Sequence, residues 1–80
     1  MRVDNWLDAQ YSVLGSALID DRVVPAVVSG TSDDDYSGGC KNVFRAIRGL
    51  FDKGSPVDPV SVNAALGGNY RDFLLQLMEI

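Results

Sequence analysis

Three stretches of the chain carry residue types at spacings that chemistry can use. Asp33, Asp35, Ser37 and Gly38 follow the first half of a calcium-loop pattern, D-x-D-x-S-G, in which alternate oxygen-bearing side chains converge on one cation. Such a loop is closed by a bidentate acid six residues after the glycine, and Phe44 stands there instead. An open cage short of charge is a poor calcium site, so the aspartates read as negative charge placed ahead of a helix N-terminus. Gly49 and Gly54-Ser55 imitate part of a phosphate loop, G-x-x-x-x-G-K-[ST]. The lysine that would reach the phosphates is missing and no strand precedes the first glycine, so the match is accidental. Lys41, Arg45 and Arg48, at i, i+4 and i+7, share one side of a helix. That stripe reads as a solvated face, with a docking surface for an acidic partner as the sharper alternative and DNA contact as the third.

Composition narrows the chemistry further. The chain has no histidine, which removes Ser-His-Asp and Cys-His nucleophilic machinery and the usual zinc ligand sets. Its single cysteine, Cys40, cannot form an internal disulfide, which points to a reducing, cytoplasmic setting. The net charge is −4, and ten of the eleven acidic residues are aspartate. An acidic surface repels a phosphate backbone, so direct nucleic-acid binding is not expected. The residues present form no catalytic, cofactor or metal constellation, and this chain is not expected to be an enzyme. No apolar run approaches the roughly 18 residues that span a bilayer, and the N-terminus is too acidic and polar for a signal peptide.

The elements that must position these residues are helical. Eighty residues with 46% hydrophobic content make one small domain, burying only about 60% of the surface its unfolded chain exposes. Asp4 or Asn5 caps a first helix over about 6–19, with Leu7, Tyr11, Leu14 and Leu18 on a narrow stripe. Trp6, Val13 and Ala17 widen it into an arc of roughly 160°, broad enough to serve two neighbours. Gly15 costs about 1 kcal/mol inside a helix, which points to a close backbone approach there. A short second helix over about 22–29 carries Pro25 in its first turn and stops at Gly30. Ser37 caps a third helix that runs to about Lys53, with Val43, Phe44, Ile47, Leu50 and Phe51 on its core face. Asp58 and Pro59 open a fourth helix to about Leu66, supplied with apolar residues by Val60, Val62, Ala64, Ala65 and Leu66. Asn69 caps a fifth helix from Tyr70, whose apolar residues are Phe73, Leu74, Leu77, Met78 and Ile80. The expected fold is all-α, a compact orthogonal bundle of about five short helices packed antiparallel to their neighbours. The last helix stops on Met78-Glu79-Ile80 without a glycine, a basic turn or a polar tail, so the chain is expected to be a fragment of a longer one.

In this order the signals resemble the N-terminal domain of the DnaB-type replicative DNA helicases. Gln10-Tyr11-Ser12-Val13-Leu14-Gly15-Ser16-Ala17-Leu18-Ile19-Asp20 is similar to the family's E-Q-S-V-L-G-A-L-L-L-D, with Tyr11 substituted or insertion-like. A second block, Asp34 to Val62, is similar to D-F-Y-D-P-x-H-R-x-I-F-x-A-I-x-x-L-x-x-x-G-x-P-V-D-x-V-T-V. Tyr36, Lys41, Phe44-Arg45-Ala46-Ile47, Leu50, Gly54, Pro56-Val57-Asp58 and Val60-Ser61-Val62 hold that pattern. Asp35 stands where the family has Phe, Gly38 where it has Pro, and Cys40 where it has His. Such departures fit a diverged phage or prophage helicase.

The resemblance implies a non-catalytic domain covering all 80 residues. The ATP- and magnesium-dependent motor would lie in a separate domain outside this sequence. It further implies self-association, as dimers within a hexameric collar, and docking of a primase or a helicase loader. A stand-alone acidic interaction protein that mimics this domain is the alternative. Candidate docking residues are Trp6 and Val13, at the edge of the first helix's apolar arc, and the basic face of Lys41, Arg45 and Arg48.

Overall fold

The computed structural model describes residues 3–79, with side chains described from Asp8 onward. Five α-helices follow one another, with no strand among the described residues: α1 (Val3–Ile19), α2 (Val24–Gly30), α3 (Gly38–Asp52), α4 (Pro59–Ala65) and α5 (Arg71–Met78). This is the expected all-α bundle. Short 3-10 turns at Asp21–Val23 and Asp33–Asp35 precede α2 and α3.

Local chemistry sets most of the boundaries. Asp20 leaves α1 in an extended conformation, and its carboxylate accepts the Arg22 N–H at 3.0 Å, which winds a 3-10 turn. The second helix therefore begins at Val24 rather than Arg22, with Pro25 in its first turn as expected. At the end of α3, Gly54 adopts φ +74°, a conformation open to glycine at no steric cost. Its N–H donates to the Phe51 carbonyl at 3.0 Å and the Ser55 N–H to the Leu50 carbonyl at 2.9 Å. Those two bonds form a Schellman stop. Asp58 caps α4 by accepting the Ser61 N–H at 2.7 Å, and Pro59 occupies the first turn.

Three caps differ from expectation. Asp4 and Asn5 lie inside α1, which begins at Val3 rather than near Trp6. The other two stand at α3 and α5. Ser37 holds the cap position of α3, but its side chain makes no capping bond; its own N–H donates to Gln10 Oε1 on α1 at 2.9 Å. The cap position of α5 belongs to Tyr70, not Asn69. Asn63 of α4 reaches over the intervening turn and accepts the Tyr70 N–H at 2.8 Å. In both places a side chain from another helix holds the N–H of the cap residue itself, and no side chain caps the first turn.

The most extensive helix pair joins α1 to α5, the two ends of the chain. Tyr11 meets Phe73 edge-on, ring centroids 5.8 Å apart, and one turn further along both helices Gly15 meets Leu77. The pair therefore runs parallel. A Cβ on Gly15 would collide with the Leu77 carbonyl, so the backbones touch there. Around this seam Leu14, Ala17 and Leu18 pack with Val43, Phe44 and Ile47 of α3, Val62 of α4, and Leu74 and Leu77 of α5. Tyr36 covers one end, its ring stacked on Phe44 at 4.8 Å. Thr31 donates its hydroxyl hydrogen to the Val27 carbonyl at 2.6 Å, so the Tyr36 hydroxyl must be the donor in its 2.9 Å bond to Thr31. Phe51, expected on the core face of α3, is 39% exposed, and of the apolar residues counted in α4 Val60 is 80% exposed and Ala64 and Ala65 are exposed as well.

Gly15→Ala is expected to destabilise the domain by about 1–3 kcal/mol through overpacking, although alanine favours a helix by about 1 kcal/mol. Urea unfolding followed by circular dichroism measures it. A second expectation concerns alkaline pH. Burial pushes the Cys40 thiol up; it also raises the Tyr36 phenol, against the bond to Thr31, which lowers it. Each group is favoured in its neutral form by folding. Their contribution is whole below the unfolded cysteine value of about 8.5, and is lost as pH rises from there through the raised folded values. Melting temperature should hold at neutral pH and fall above about pH 8.5, with Cys40→Ala moving the onset toward the tyrosine range near 10.

Candidate docking surface

The three basic residues of α3 do not stand equally free. Arg45 points its Nε at Asp33 Oδ2, 2.8 Å away, and so ties α3 to the 3-10 turn before it. Arg48 lies 4.0 Å from Asp52 at i, i+4, a pair at the limit of contact. Lys41 is half-buried. The stripe is thus a helix face with its charge partly answered by its own aspartates. The acidic turn is employed in the same way: Asp35 accepts the Ser32 N–H at 2.9 Å while Asp33 holds Arg45. Among the described residues no three potential ligands of His, Cys, Asp or Glu type converge as a metal site.

The Gly49-to-Ser55 segment closes the C-terminal end of α3, where the helix presents carbonyls rather than N–H groups. The Ser55 N–H is already donated to Leu50. A nucleotide phosphate and its magnesium do not fit there.

Val13 lies half-buried on α1 against the core, and with Ala9, Gln10, Thr31, Asp35 and Tyr36 it lines a shallow groove of about 240 Å³. Trp6 belongs to the same helix, but its side chain lies outside the described residues. The structure does not join Val13 to the basic stripe. Gln10, which sequence reasoning passed over, is only 3% exposed. Its Oε1 takes the Ser37 N–H, while its Nε2 has no partner among the described residues. An uncompensated buried amide costs about 1–3 kcal/mol.

Sequence reasoning counted Val60 in the apolar content of α4 without assigning it a side, and it faces outward. Pro59, Val60 and Asn63 of α4 and Arg71, Leu74, Leu75 and Met78 of α5 line an apolar groove of about 230 Å³. Its rims carry Val60 and the 45%-exposed Leu75. The signal that could have found it is helical phase: Val60 and Val62 are two residues apart, about 200° around a helix, so they cannot share a core face. Among the described residues no helix is long and apolar enough to cross a membrane.

Taken together, these features define an all-α domain whose outer surface offers shallow grooves and paired charges. A family model, the DnaB-like helicase N terminal domain, matches residues 3–78, and the chain belongs to that family. It is a helicase-associated domain of a non-catalytic kind. Comparison with curated proteins and with solved structures found no match.

The Arg45–Asp33 contact lies on an exposed surface, where such pairs contribute about 0.2–1 kcal/mol. A double-mutant cycle of Arg45→Ala and Asp33→Ala, read by urea unfolding, should return a coupling in that range. The stripe residues would then be free for substitution in binding assays without loss of the fold.

Proposed function

We propose that this domain is the self-associating and partner-docking part of a replicative DNA helicase in the cytoplasm. It joins copies of itself in a collar and receives a primase or a helicase loader. The family match across residues 3–78 carries the reading. The surface supports it: grooves lined by apolar residues, a basic stripe on α3, and a net charge that disfavours direct contact with DNA. In this reading ATP and magnesium serve a motor domain and not these 80 residues.

The test has two arms. Light scattering over a concentration series should show more than one copy per particle. Calorimetric titration should show binding to the helicase-contacting region of the primase, or to the loader, from the same source. Arg45→Glu should weaken that binding if the basic stripe is the acceptor, and Val13→Asp if the α1 edge is. A chain that stays monomeric at every concentration and binds neither protein would remove the proposal.

A further inference from the structure

The outward ridge of α5 carries a charge pattern that its own fold does not use. Arg71, Leu75 and Glu79 follow each other at intervals of four residues, so they fall within about 80° of arc on one face of the helix. All three are exposed, and the ridge borders the apolar groove where Val60 and Met78 meet Leu75. Among the described residues the ion pairs are Asp20–Arg22, Asp33–Arg45 and Asp52–Arg48; neither Arg71 nor Glu79 takes part in one. Both also carry the charge opposite to what their helix end favours. The positive N-terminal end of α5 holds Arg71, beside Asp72 of the favourable sign, and its negative C-terminal end holds Glu79. Intrahelical stability therefore does not account for them.

The pattern is antisymmetric about Leu75, with plus four residues before it and minus four residues after. Turned by a two-fold axis through Leu75, it becomes its own complement. We propose that the α4–α5 face is a contact between two copies of this chain, in which their α5 helices cross antiparallel at Leu75. Leu75 packs on Leu75, and Arg71 of each copy meets Glu79 of the other, giving two reciprocal ion pairs around an apolar centre. Val60 and Met78 of both copies close the flanks. A two-fold contact requires this kind of self-complementary patch, whereas an unrelated partner does not. The inference rests on the self-association reading and names its face. The apolar centre is small, so the contact belongs with the weak, reversible class of interfaces.

Sedimentation equilibrium of the 80-residue chain over a concentration series tests it. The expected result is a monomer–dimer equilibrium in which Arg71→Glu or Glu79→Arg alone weakens association about tenfold or more, because each reversal sets like charges together twice. The double swap Arg71→Glu/Glu79→Arg should return the dimer to within about threefold of its original strength. Both reversals suit the dipole of α5, so folding is retained. Lys53→Glu changes net charge equally at a distant helix end and should leave association within the same margin. Single reversals without effect on a dimer would overturn this face while leaving self-association standing. Single reversals that weaken the dimer without rescue by the swap would overturn the antiparallel pairing. A monomer at every concentration would remove the contact and the self-association reading together.

Discussion

The close approach of α1 and α5 at Gly15 is the constraint on which the remaining packing depends. With no side chain at that position, the backbone of α5 reaches the surface of α1, and Leu77 fits beside Leu14 and Leu18 instead of standing off from them. That spacing lets Phe73 reach Tyr11 edge-on, at 5.8 Å, while Tyr70 at the start of the same helix meets Phe73 at 6.0 Å. It also leaves α3 to close the core from the other side with Val43, Phe44 and Ile47. A longer residue at position 15 would push α5 outward, and the layer between them would lose contacts along its whole length. In a domain of 80 residues, where net stability is a few kcal/mol, one such displacement is a large fraction of the total.

Charge is managed by the same economy. The aspartate-rich composition looks at first like a reservoir for a cation. The structure spends these carboxylates one at a time on backbone and guanidinium groups: Asp20 on Arg22, Asp33 on Arg45, Asp35 on the Ser32 N–H, and Asp58 on the Ser61 N–H. Each stabilises a turn or a helix start where local N–H groups lack partners. Part of the acidic surface is therefore a by-product of building five short helices with many ends.

What could be read from the chain beforehand follows the range of the interactions involved. The Asp58-Pro59 start of α4 and the Lys53-Gly54 stop of α3 depend on neighbours within a few residues, and they stand where local rules place them. The arc of α1 was legible from helical phase, and Gly15 was legible as a place of close approach. The partner at that approach was not, because nothing near position 15 points to residue 77. Gln10 escaped notice for the same reason, since it serves a helix start 27 residues away at Ser37, while Asn63 serves the nearer start at Tyr70 only because the intervening turn folds back. Of the candidate docking residues, the stripe of α3 was visible as a pattern, while its pairing with Asp33 needed the fold of the intervening turn. The α4–α5 groove was hidden by counting Val60 as apolar content without asking which way it faced.

The parallel pairing of the first and last helices also bears on how the chain comes to be made. During synthesis α1 emerges first, with an apolar stripe and no partner for the surface around Gly15. Its partner follows about 60 residues later, a delay on the order of several seconds at ordinary translation rates. Until then α1 to α4 can form only an incomplete core, since Leu74 and Leu77 supply its final wall. Closing contacts at such sequence separation is slow compared with local helix formation and comes as one late event. The core is thus complete only when α5 has left the ribosome. For those seconds the broad apolar arc of α1 is the surface most exposed to chaperones or to another nascent copy.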